Sequence, residues 1–216
     1  MATYLQEQNS VALIQAGKEG DSQALNVLFA RHHQRILRIV RLRLNPGLRE
    51  RLKLQSMDIV QEMFLHALKK LQSFQYTGDG SFIHWLSRIV ENVIRDQLDY
   101  VFAQKRSPEG ECSLDQSITE SNDKLHLHDV VSREDTSPTQ HILKRDIKTA
   151  VDELLLELSE ADREVIIQHQ LEGLTFVEIA SYAGKSEDAV RKQFKRSFQK
   201  LMALAEDSDV LQELRS

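Results

Sequence analysis

The placement of helix-breaking residues most narrows what this chain can fold into. Three prolines and eight glycines are spread over 216 residues. The segments between them carry apolar residues at three- and four-residue steps, while strand-like alternation is scarce. The expected fold class is all-α. The clearest internal break is Tyr76-Thr77-Gly78-Asp79-Gly80, with two glycines in three residues. Ser81 follows as an N-cap candidate, and Phe82, Leu86, Ile89 and Val93 then recur as one apolar face. Trp85, Arg88, Asn92 and Arg95 recur on a neighbouring face. An indole, two guanidiniums and an amide beside a tyrosine-led glycine loop can stack on and hydrogen-bond to unpaired bases. A core helix with a solvated face and a half-buried tryptophan has the same pattern.

Upstream, residues 11–17 read as a short helix. Asp21 can cap the next, whose apolar side holds Leu25, Leu28, Phe29, Ile36, Ile39 and Val40. That helix also carries Arg31, Arg35, Arg38, Arg41 and Arg43, either a solvated face or a nucleic-acid surface. Asn45-Pro46-Gly47 is expected to end it. Ser56 is the expected cap of the following helix, with Asp58 in its first turn where the helix dipole favours an acid. Val60, Met63, Phe64, Ala67, Leu68 and Leu71 form its buried side. Asp58, Gln61, Glu62, Leu65 and Lys69 lie opposite, making Leu65 either a partner contact or an ordinary surface leucine.

Residues 107–141 lose the helical periodicity and are rich in Ser, Thr, Asp and Glu, so they read as a flexible acidic linker. Periodicity resumes at about Ile142. Ser159 and Thr175 each open a capping-box pattern, Glu160 to Asp162 following the first and Glu178 closing the second. Gly173 and Gly184 break the helices they follow. Phe176, Ile179, Ala180 and Ala183 are expected on an inner face. Ser186 caps a last helix with Val190, Phe194, Ser197 and Leu201 inward. A short helix, a glycine turn and a capped helix make a helix-turn-helix signature. Its second helix presents Lys192, Lys195, Arg196 and Gln199 outward, with Arg191 beside them, suited to phosphates and guanine edges. Glu187 and Asp188 at its start either accept from cytosine or only stabilise the helix dipole. The expected organisation is two small helical domains, 1–106 and 142–206, joined by 107–141, with 207–216 as a tail.

The net charge of −5 does not by itself advertise nucleic-acid binding. One cysteine, Cys112, excludes an internal disulfide and a cysteine-based metal framework. The start of the chain lacks signal-peptide character and no apolar run reaches membrane-spanning length, so a soluble cytoplasmic protein is expected. His32-His33 and the His126, His128 pair lack metal-ligand spacing with a supporting carboxylate. No catalytic residue, metal or cofactor is therefore expected. A stand-alone helix-turn-helix regulator, with a sensory or dimerising N-terminal half, is the alternative to a factor acting with a polymerase.

Two separated segments resemble one family. Asp58-Ile59-Val60-Gln61-Glu62-Met63-Phe64-Leu65-His66-Ala67, followed by Gly80-Ser81-Phe82-Ile83-His84-Trp85-Leu86-Ser87-Arg88-Ile89, is similar to the second conserved region of the extracytoplasmic-function (ECF) sigma factors, bacterial RNA polymerase specificity subunits. Leu158-Ser159, Arg163-Glu164-Val165, the run from Leu171 to Ala180, Ser186-Glu187 and Val190-Arg191 resemble the fourth region, which carries the helix-turn-helix. The resemblance implies core polymerase docking on Asp58, Gln61, Glu62 and Leu65. It implies capture of the melted −10 promoter strand by Tyr76, Thr77, Gly78, Asp79, Gly80, Trp85, Arg88 and Asn92. It implies reading of the duplex −35 element by Ser186, Glu187, Arg191, Lys192, Lys195 and Arg196. Members commonly have an anti-sigma partner, which nothing in the residues identifies. Glu91 departs from the family, which often has a basic residue there. Asp188 replaces a residue that is usually small, and 99–106 lack the longer basic run, which implies weaker phosphate affinity.

Overall fold

The computed structural model describes residues 9–78, 80–106 and 138–208. Helices α1 (Ser10–Lys18), α2 (Ser22–Arg43), α3 (Pro46–Leu52), α4 (Ser56–Lys70) and α5 (Ser81–Arg106) make a first unit, with a 3-10 turn, Leu71–Ser73, after α4. A second unit contains α6 (Pro138–Glu157), α7 (Glu160–Ile166), α8 (Phe176–Ala183) and α9 (Glu187–Asp207), with a π-helical turn, Ile167–Leu171, continuing α7. No strand occurs among the described residues.

Local chemistry sets most of the helix starts. Asp21 caps α2 by accepting from the amides of Gln23 and Ala24 at 2.8 and 3.0 Å. Thr175 and Glu178 form a reciprocal capping box, the Thr175 amide donating to Glu178 at 2.8 Å and the Glu178 amide to Thr175 Oγ1 at 3.3 Å. Ser186 caps α9 by accepting from the Ala189 amide. Helix α2 ends at Arg43, just before Asn45-Pro46-Gly47 as expected, and the same residues also open α3: Asn45 caps it with Pro46 in its first turn, where a missing amide proton costs nothing. Three local expectations are corrected. Gln55, not Ser56, is the N-cap of α4; its amide donates to Asp58 at 2.7 Å while Ser56 is buried. Ala183 is exposed, not inward. Helical backbone begins at Pro138, inside the stretch assigned to the linker.

The core of the first unit is aromatic. Phe29 of α2 packs on Phe64 of α4 with ring centroids 4.7 Å apart, and the stack continues through Phe82, Phe74 and Trp85. Phe29, Ile36, Ile39, Met63, Ile83 and Leu86 are essentially inaccessible. α2 packs against α4 and α5 and also meets α6 and the π-helical turn, so it braces both units. Arg38 bonds Asp152 of α6 at 2.6 Å, and Arg35 donates to the Leu171 carbonyl. The arginine run on α2 is therefore partly spent on holding the second unit.

Within the second unit, Asp162 ties α7 to α9. Its two oxygens accept from Ser197 Oγ at 2.7 Å and Lys200 Nζ at 2.6 Å. The hydrogen bonds from Lys200, Ser197 and Ser159 lower its carboxyl pKa to about 2, against an ordinary 3.8, with burial opposing them. The folded carboxyl holds its proton less tightly than the unfolded one. Its contribution to stability is thus complete above the ordinary value and fades as pH falls toward about 2. Thermal unfolding followed by far-UV circular dichroism is expected to show a shallower loss of melting temperature in Asp162→Asn than in the wild type over this acid window; parallel profiles would mean that Asp162 does not carry the effect.

Candidate nucleic-acid interface

The glycine loop is positioned by side-chain donors to backbone carbonyls. Lys18 Nζ donates to the Phe74 carbonyl at 2.6 Å, and Gln72 Nε2 to the Lys18 carbonyl at 2.7 Å, fastening the loop's start to α1. At its other end Ser81 Oγ donates to the Gly78 carbonyl at 2.7 Å. Gly80 sits at φ +98°, open to glycine at little cost, and a Cβ there would lie 3.2 Å from the Glu172 carbonyl oxygen of the second unit. Both the backbone angle and the close approach require the missing side chain.

The loop borders a cleft of about 530 Å³. Thr77, Gly78, Gly80, Trp85 and Arg88 all line it. Tyr76 is exposed but not part of its wall, and Asn92 is half-buried a turn farther along α5. Asp79 lies outside the described residues. Trp85 rests on Phe74 and Phe82 at centroid distances of 4.9 and 5.6 Å. It is thus the rim of the aromatic core and a wall of the cleft at once. The opposite wall, unforeseen from sequence, comes from the second unit: Gly173, Leu174, Thr175, Glu178 and Tyr182.

Beside the cleft lies a charge cluster that sequence reasoning missed. The Arg43 side chain is only 7% exposed. Its Nη2 reaches Glu164 at 2.5 Å, Glu172 at 2.6 Å and Glu91 at 3.0 Å, and its Nη1 donates to the carbonyl and hydroxyl of Ser87. Burial works against the Arg43 charge, but the three carboxylates outweigh it and hold the guanidinium protonated. Glu172, 1% exposed, also accepts from Ser87 Oγ at 2.6 Å and lies 2.8 Å from His84 Nδ1. Burial alone would raise the Glu172 pKa; the His84, Arg43 and Ser87 contacts lower it. Burial raises the Glu91 pKa despite Arg43 and Arg88 beside it. The departure at Glu91 thus has a structural cause: it is the counter-ion that the first unit itself supplies to a buried arginine, and it also pairs with Arg88. The three carboxylates approach closely enough to hold a cation, and the Arg43 guanidinium already bonds to all three. No local signal announced the cluster, because Arg43 and Glu172 are 129 positions apart.

On α9, Lys192, Lys195 and Arg196 share an exposed face around one shallow depression. Arg191 is held differently: its Nε donates to Glu187 at 2.8 Å and its guanidinium lies 4.8 Å from the centre of the Phe176 ring. Ser186 is occupied as the cap. On α4, Asp58, Gln61 and Leu65 are exposed, Leu65 to 49%, and Glu62 accepts from Gln97 of α5 at 3.1 Å.

The ECF sigma factor family model matches residues 7–205. The ECF RNA polymerase sigma-E factor of Haemophilus influenzae is 28% identical over 197 residues, covering 91% of this chain and 94% of that protein. The sigma-E factor of Salmonella typhimurium is 27% identical over 187 residues, covering 86% and 88%. Among solved structures, CnrH in complex with the cytosolic domain of CnrY superposes with a TM-score of 0.52 at 23% identity, over 91% of this chain and 97% of that one; the likeness is one of fold.

Trp85→Ala should cost about 2 kcal/mol of stability by loss of its contacts with Phe74 and Phe82, and Trp85→Phe clearly less. Chemical denaturation measures both; an unchanged midpoint for Trp85→Ala would show that the ring contributes no packing.

Proposed function

The chain belongs to the ECF sigma factor family, and from that premise we infer how its two helical units share promoter recognition. It is an RNA polymerase sigma factor, a transcription initiation factor that works with core polymerase and promoter DNA. The match runs through both halves, which removes the stand-alone regulator with a separate sensory half.

We assign core polymerase docking to the outer face of α4, through Asp58, Gln61, Glu62 and Leu65. An exposed leucine ringed by polar groups supplies apolar contact with polar registration. The melted −10 strand goes to the loop 76–80, with Trp85 and Arg88 on the cleft wall and Asn92 farther along. Extruding a base costs a few kcal/mol, which stacking at about 1–3 kcal/mol per base with pocket hydrogen bonds can offset. The −35 duplex goes to α9. Lys192, Lys195 and Arg196 lie free on its face, while Glu187 and Arg191 must exchange their mutual pair for DNA. The single observation that carries the −10 assignment is that loop, indole and guanidinium, spread over 77–88, converge on one cleft.

In this reading the chain is a specificity subunit without catalytic chemistry of its own. Its place is the cytoplasm, with the polymerase; no helix among the described residues is long and apolar enough to cross a membrane. CnrH is bound by the cytosolic domain of CnrY, and a cytosolic domain is the anti-sigma partner we propose for this chain.

Purified chain mixed with bacterial core polymerase is expected to bind it and to start transcription at selected promoter fragments; no binding to core would overturn the reading. Lys192→Ala with Arg196→Ala should weaken duplex −35 binding and lower the salt slope by about one per lost phosphate contact, and an unchanged slope would remove α9 from the phosphate backbone. Trp85→Phe should impair promoter opening more than core binding; the reverse order would make it a packing residue only.

A further inference from the structure

We propose that Glu172 is the bolt of an internal latch: it locks the second helical unit over the −10 cleft through Arg43, His84 and Ser87, and it must be withdrawn before promoter DNA can enter. The functional half of this proposal rests on the −10 assignment above; the latch itself does not.

Glu172 belongs to the second unit, and each of these three partners belongs to the first. The Glu172 carboxylate meets Arg43 at 2.6 Å, Ser87 at 2.6 Å and His84 at 2.8 Å, and it is almost wholly buried by them. The backbone follows the side chain. The Glu172 carbonyl oxygen lies 3.2 Å from where a Cβ on Gly80 would be, so the −10 loop abuts the second unit. Beyond it the Tyr182 ring stacks on His84 at 4.9 Å, although 61% of Tyr182 stays exposed. The cleft that holds Thr77, Trp85 and Arg88 is therefore walled on its other side by the chain itself. A strand of several nucleotides has to displace that wall.

The latch is built to open. A buried ion pair gains little over its desolvation cost, whereas a buried charge stripped of its partner is strongly unfavourable. Arg43 avoids that penalty because Glu91, on its own unit and 3.0 Å away, stays with it when Glu164 and Glu172 leave. Glu91 also pairs with Arg88. When the second unit departs, Glu91 becomes the remaining carboxylate of the cluster on Arg43, while Arg88, already 55% exposed in the closed arrangement, stays available to DNA. Asp58, Gln61 and Leu65 of the docking face on α4 are exposed in the closed arrangement. Core polymerase can thus engage a chain whose −10 cleft is still covered, and contacts made on the polymerase can supply the free energy that parts the units.

The full chain, Glu172→Gln and Glu172→Lys should be compared by small-angle X-ray scattering and by acrylamide quenching of Trp85, the only tryptophan. A compact chain of this length has a radius of gyration of about 17 Å. Glu172→Lys is expected to exceed the wild type by several ångströms and to quench more steeply, with Glu172→Gln between them and helical content unchanged in all three. Equal scattering in the three proteins overturns the latch without touching the −10 assignment. Independently, Arg38→Cys and Asp152→Cys in a Cys112→Ser background can be joined by a short reducible bismaleimide. The joined chain should bind core polymerase yet fail to open a promoter, and reduction should restore opening. Full promoter opening by the joined chain would show that closure does not block the cleft.

Discussion

A buried guanidinium organises this molecule. The Arg43 side chain is nearly inaccessible, and a cation taken out of water must be matched by anions or it destabilises the fold by several kcal/mol. The match is divided unequally between two units. Glu91 comes from the same helical unit, while Glu164 and Glu172 come from the other. One residue thereby accounts for the acid at Glu91 on α5 and helps to seat the helix-turn-helix unit.

The seating has consequences for a sigma factor. Promoter recognition uses two surfaces that must reach separate DNA elements, one melted and one duplex. In this structure the face of Lys192, Lys195 and Arg196 on α9 is exposed, whereas the loop proposed for the −10 strand abuts the backbone of 172–173 at Gly80. The ionic contact sits beside apolar residues of both units that form one continuous core, so parting the units exposes some apolar surface. The carboxylate itself suits reversal, because on leaving Arg43, His84 and Ser87 it is rehydrated in water.

The helices and their ends were largely legible because they depend on neighbours in sequence. Asp21, Ser159, Thr175 and Ser186 cap as their side chains demand, and the apolar periodicity of α4 and α5 marks their buried sides. Helix starts admit more than one reading, because proline and serine are each compatible with more than one position there. Pro46 is as suited to a first turn as to a stop, and Gln55 displaced Ser56 because Ser56 is directed into the core. The site was legible in part. Thr77, Gly78, Gly80, Trp85 and Arg88 are close in sequence and helical spacing brings them to one side, but the far wall of the cleft comes from residues about 90 positions later.

The sequence by itself determined the all-helical class, most of the caps, the apolar sides of α2, α4 and α5 and the basic face of α9, since each follows from periodicity or a side chain acting within a few residues of itself. Only the tertiary structure decided the partners of Arg35, Arg38 and Arg43, the role of Glu91, and the approach of Glu172 to Gly80 and of Tyr182 to His84. An arginine on a helix face looks the same in sequence whether it meets phosphate, water or a distant glutamate. The choice is made by which charges the fold brings within about 3 Å of one another in a place with little water, and that is a property of packing.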